Sequence, residues 1–143
     1  MDIRMAFAST YNRWLYIAAV ASSTAGIIHA YYMPEHFEMW VGYGIFFLVA
    51  TVCQVLWALV VLADRPIHRT VLWAGILGNA AIIAMWIVAR TIGNPLGPMA
   101  GEIEEIGVLD TLSKVTELTV IVCSVALLRM KSVTNEHNSR VIV

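Results

Sequence analysis

The chain has 143 residues, 59% of them hydrophobic and only 13% charged, with a formal net charge of −1 and a mean hydropathy of +0.75. Soluble domains carry about 25% charged residues, so this composition excludes a soluble globular protein, and no nucleic-acid partner is expected. The two cysteines, Cys53 and Cys123, lie inside apolar runs and form no C-x-x-C. They read as small packing residues rather than a thiol-redox pair.

Four apolar runs, over residues 14–32, 40–62, 70–89 and 109–128, reach the roughly 20 residues that a bilayer crossing takes. They leave no room for a soluble domain. The expectation is one all-α domain over residues 1–143, an integral membrane four-helix bundle in the lipid bilayer, with an outer loop at 90–108. The first run begins well inside the chain and ends without a small-x-small site, so a cleaved signal peptide is not expected. With four crossings both ends share one side. That side holds Arg4, Arg13, Arg65, Arg69, Arg129, Lys131 and Arg140, seven of the nine Lys/Arg. Positive charge marks the cytoplasmic face. The sequence therefore predicts a multi-pass cell-membrane protein with cytoplasmic N- and C-termini.

Residues 1–13 form a short amphipathic lead, and Arg13, Trp14 and Tyr16 look like interface anchors. The first run is rich in small residues, which let helices approach closely. Ser22, Gly26, His29 and Met33 share one helical face. Pro34 is expected to end this helix or start the next, which puts Glu35, His36 and Glu38 on a short outer turn. In the second run Gln54 shares a face with Phe47 and Thr51. An interhelical hydrogen bond, worth about 0.6 kcal/mol in such bundles, is the simplest role for it. The loop 63–70 is short, so the second and third runs are expected to be antiparallel neighbours, with His68 at the surface. The third run carries Gly75, Asn79, Trp86 and Arg90 along one stripe. Asn79 needs a polar partner on a neighbouring helix. Arg90 either snorkels to the headgroups or pairs with acids of the loop or of the fourth run.

The segment from Arg90 to Glu117 holds most of the unusual chemistry. Gly93, Pro95, Gly97, Pro98 and Gly101 give tight turns, and Glu102, Glu104 and Glu105 follow. Asp110, Lys114 and Glu117 then fall on one face of the fourth helix. Residues 131–143 form a short polar tail, expected to be mobile unless docked.

Ionisable groups in a bilayer are costly and face a partner in the bundle interior. Three roles remain open for this outer set. As an ionic network, Arg90 and Lys114 neutralise Asp110, Glu105 and Glu117, while His29 donates to one carboxylate. As a metal centre, His29, His36, Glu35, Asp110 and Glu117 offer imidazole and carboxylate ligands for a transition metal ion, whether copper, zinc or iron. As a proton path, His29, Glu117 and Asp110 titrate, whereas the intramembrane polar residues Gln54 and Asn79 do not. Catalytic residues cannot be named, and the chain alone is not expected to be an enzyme. An accessory or structural subunit of a membrane complex, built by self-association or with other subunits, is the leading expectation. A small metal-dependent membrane enzyme or transporter is the competing one.

The pattern His29…Glu35-His36…Gly44-x-Phe46-Phe47…Gln54, continued by Arg90-Thr91-x-Gly93-x-Pro95-x-Gly97-Pro98…Glu105-x-Gly107-x-x-Asp110…Glu117, resembles a family of small four-span membrane proteins of prokaryotes. The resemblance covers most of the chain. It implies the four-span fold and the outer constellation, and names no ligand. In size and span number the chain is also similar to accessory subunits of membrane copper monooxygenases of the archaeal ammonia-oxidising type. That similarity implies a copper enzyme as partner.

Overall fold

The computed structural model describes the backbone of residues 3–64 and 66–141, and side chains over residues 8–64 and 66–130. The side chains of Arg4, Arg65, Lys131 and Arg140, four of the basic residues behind the expected orientation, lie outside the described residues. Four helices account for most of the chain: α1 Ile3–Met39, α2 Val41–Ala63, α3 Arg69–Thr91 and α4 Val108–Val141. No strand occurs among the described residues; the only pairing is an isolated bridge between Asn94 and Ala100. The fold is all-helical, as expected. Among the described residues three stretches are long and apolar enough to cross a membrane: α2, α3 and Val108–Met130 of α4. The fourth expected crossing, 14–32, lies inside α1 and is not one of these three. Ser22, Ser23, Thr24 and His29 dilute its apolar character.

Two boundaries differ from expectation. Pro34 lies inside α1, which continues to Met39. The proline ring removes one backbone donor, but His36 Nδ1 lies 2.8 Å from the Tyr32 carbonyl and adds a side-chain hydrogen bond to the turns around it. Glu35, His36 and Glu38 are therefore helical, and the chain reverses at Trp40, the one extended residue between α1 and α2 (φ −169°, ψ 136°). At the other end, α4 carries residues 131–141 onward as helix.

α1 packs against α2 and α4, and α4 also packs against α3. The α2–α3 pair is the loosest of the neighbours despite its short loop. The reason lies in α1. Its small residues Ala18, Ala21, Ser22 and Ala25 are buried and let neighbouring backbones close on it. Gly26 is the tightest point: a Cβ there would sit 3.0 Å from Val55 Cγ2 and 3.4 Å from the Thr51 carbonyl. α2 and α3 instead meet through single large groups. The Trp57 indole N–H donates to the Val71 carbonyl at 2.7 Å, and Gln54 Nε2 donates to Asn79 Oδ1 at 3.2 Å.

The two ends of the bundle differ. Around the α2–α3 loop, Leu15, Ala19, Val61, Ile67, Leu72 and Leu127 form an apolar core, with the loop residue Ile67 fully buried. At the opposite end the first half of α2 and the second half of α3 are separated by a cavity of about 480 Å³, roofed by the loop between α3 and α4. Polar side chains lie between these two regions.

Candidate functional site

Beneath the cavity lies a set of polar groups drawn from all four helices, of which His29, Ser113 and Lys114 line it. Glu117, on α4, is fully buried. Its Oε2 lies 2.6 Å from Lys114 Nζ, one helical turn earlier. Its Oε1 accepts from the Ser113 hydroxyl at 3.0 Å and lies 3.5 Å from Gln54 Nε2 and from His29 Nε2. The i,i+3 and i,i+4 spacing of a helix brings Ser113, Lys114 and Glu117 to one face. His29 reaches them because the small face of α1 carries it into the same layer.

The amide orientations follow from the network. Asn79 Nδ2 donates to the Gly75 carbonyl at 2.8 Å, which leaves Asn79 Oδ1 to accept from Gln54 Nε2. Gln54 Oε1 is then an acceptor, so His29 Nδ1, 2.9 Å away, carries the hydrogen. The Ser22 hydroxyl donates to the Gln54 backbone carbonyl at 2.8 Å and ties the same residue to α1 again. The interhelical hydrogen bonds expected of Gln54 and Asn79 are thus made, by Gln54 with His29 and Asn79 and by Asn79 with Gln54.

A second cluster closes the end of the bundle beneath the α3–α4 loop. Arg90, at the end of α3, pairs with Asp110 of α4 and with Glu104 of the loop, the latter at 3.2 Å. Its guanidinium also lies 5.0 Å from the centre of the Trp86 ring, and the Trp86 indole donates to Asp110 Oδ2 at 2.6 Å. Arg90 is therefore a pairing residue rather than a snorkelling one. The loop that delivers Glu104 is fixed by Asn94, whose side chain donates to Glu104 Oε1 at 2.8 Å and whose backbone joins Gly101 and Glu102. Gly93 makes the entry turn at φ +100°, and a Cβ there would sit 2.5 Å from the Gly101 backbone. The Tyr43 hydroxyl of α2 pins the loop from the far wall by donating to the Leu96 carbonyl at 2.7 Å.

The five residues proposed as metal ligands from sequence are only partly assembled. His29 and Glu117 meet. Asp110 is held by Arg90 and Trp86. His36 stacks on Phe47 at 3.7 Å between ring centroids, and Glu35 lies exposed on the cavity wall with Glu105. Among the described residues no group of three or more His, Cys, Asp or Glu side chains is placed to hold a metal ion. Sequence reasoning missed Ser113 as a partner of Glu117 and the joint role of Trp86. The available signals were Ser113 four residues before Glu117, and Trp86 four before Arg90. His68 is exposed as expected, though bonded to Asp64 at 2.7 Å. Cys53 is exposed and Cys123 buried, both free. Comparison with protein-family models, with characterised proteins and with solved structures gave no match.

Proposed function

We propose that the chain is a multi-pass membrane protein with both termini in the cytoplasm, acting as a non-catalytic accessory or structural subunit whose bundle is locked by the Glu117 network. The observation that carries this reading is that one buried carboxylate gathers contacts from three helices and, through Gln54 and Asn79, reaches the fourth. Buried ionic groups of this kind serve best to fix which helices pair and in what register. Support for the orientation comes from the basic residues around both termini and the α2–α3 loop. The exposed apolar faces of α2 and α3 suit lipid or neighbouring subunits. The similarity to accessory subunits of copper monooxygenases makes a membrane copper enzyme the first partner to test.

Extraction in a mild uncharged detergent followed by native separation tests the subunit reading. Co-migration with a larger membrane complex is expected, and a lone monomer with its own activity would overturn it.

A second reading, a metal-binding subunit, is favoured by one contact. With Nδ1–H committed to Gln54, His29 Nε2 faces Glu117 Oε1 at 3.5 Å. Two ligands of a tetrahedral ion bound at about 2.0–2.1 Å lie about 3.3 Å apart, so the pair has the spacing to share one ion. Elemental analysis of the purified protein separates the readings: a stoichiometric transition metal lost in His29→Ala supports the second, and its absence leaves the network structural.

A further inference from the structure

His29, Ser113 and Lys114 of the Glu117 network line one part of the cavity, and the rest of its wall has a distinct chemistry. Clefts of about 300–1,000 Å³ that are mostly apolar with a few polar groups are the usual form of small-molecule sites. This one, at about 480 Å³, falls in that range. One wall is aromatic. Trp40 and Tyr43 pack edge to face at 5.1 Å, Phe46 and Phe47 at 5.7 Å, and Trp40 and Phe46 keep 40% and 36% of their surface exposed. Trp86 lines the same cavity from α3.

The charge on the wall is unbalanced. Four carboxylates line the cavity, Glu35, Glu104, Glu105 and Asp110, against two cations, Arg90 and Lys114. Arg90 is committed to Asp110 and Glu104, and Lys114 to Glu117. Among the described residues no cation pairs with Glu35 or Glu105. An anionic ligand would meet repulsion here without a free cation to bind it. A neutral apolar ligand would leave the excess negative charge unanswered. Aromatic faces beside uncompensated carboxylates suit a positive centre with an apolar surface, through the attraction of a cation for the ring quadrupole.

We infer that this cavity binds an organic ammonium ion, its positive centre set between the Trp40–Tyr43 corner and the carboxylates of Glu35 and Glu105, its apolar part directed toward Phe46 and Met85. The same chemistry is offered by a free amine or quaternary ammonium solute and by the headgroup of a choline or ethanolamine lipid entering between α2 and α3.

The full-length protein in an uncharged maltoside detergent is titrated with choline and, separately, with its neutral isostere 3,3-dimethyl-1-butanol, by calorimetry. Saturable choline binding, at least tenfold tighter than the isostere, is expected. Glu35→Gln with Glu105→Gln should weaken it about tenfold or more, and Trp40→Leu should weaken it likewise. Glu35 and Glu105 are exposed and outside the network, so an unchanged melting temperature in the double variant certifies the fold. Repeating the choline titration in nanodiscs of phosphatidylcholine and of phosphatidylglycerol separates the sources. Loss of the choline signal only in phosphatidylcholine identifies the lipid headgroup, and equal binding in both identifies a free solute. Absence of choline binding in the micelle, equal affinity for the isostere, or binding untouched in both variants would overturn the assignment.

Discussion

Glu117 has no exposed surface, and both of its oxygens are engaged. Glu117→Gln keeps its shape but leaves the Lys114 ammonium facing a neutral amide. Breaking a buried pair from one side costs about 3–5 kcal/mol, so the variant should melt well below the wild type in detergent. Adding Lys114→Met to Glu117→Gln removes the stranded charge and should recover most of that loss. If the double variant is no better than the single, the pair is not what stabilises this layer. Gln54→Leu makes a contrasting case, since it leaves His29 Nδ1–H and Asn79 Oδ1 without partners. Each unsatisfied buried group costs about 1–3 kcal/mol, so the two together should give a clear drop in the same melting assay without any stranded charge. The face shared by Asp110, Lys114 and Glu117 was legible from spacing alone, because a helix repeats every 3.6 residues. Which glutamate Arg90 would take was not. Glu104 and Glu105 are neighbours in sequence, and the choice depends on the path of a loop with glycines at positive φ at 93, 97 and 101.

That loop is the element on which the Arg90 cluster depends. Gly93→Ala combines an unfavourable left-handed backbone with a Cβ driven into the Gly101 backbone. A substitution of this kind costs more than about 1 kcal/mol. Its effect should be local: faster proteolytic cutting within 92–107, with the melting of the bundle less affected than in Glu117→Gln. Arg90→Lys should act in the same place. A lysine is a point charge without the planar fork, so it cannot hold Asp110 and Glu104 together, and hydrogen exchange at Asn94 and Glu104 should accelerate. Helix boundaries were legible only in part. The punctuation at 93–101 marks the long loop, but Pro34 suggests a break that the helix passes through. The tight reversal at Trp40 carries no glycine or proline of its own and gave no comparable signal.

For the molecule as a whole, the span count and charge asymmetry lead to an expectation that labelling can check. In a Cys53→Ala, Cys123→Ala background, a cysteine at Glu102 should react with a membrane-impermeant thiol reagent applied outside intact cells. One at Arg69 should react only after the membrane is opened. The reverse pattern would invert the orientation, and reactivity of both from outside would remove the four-span arrangement. The order of packing around the bundle was not legible in the sequence. A short loop suggests that α2 and α3 are close neighbours, yet α1, with its small buried face, takes the inner position and draws α2 and α4 to itself. Hydropathy reports which helices are apolar, and the closest packing here is set by residue size.

The Glu117 hub also has a consequence in time. Gln54 and Glu117 are 63 residues apart, so the ribosome finishes the first three helices before the carboxylate exists. At about 5–20 residues per second, Gln54 emerges from synthesis about 3–13 s ahead of Glu117. Asn79 follows Gln54 by 25 residues, and from then until Glu117 is made Gln54 has His29 and Asn79 but not its anion, so the layer is complete only when the last helix arrives.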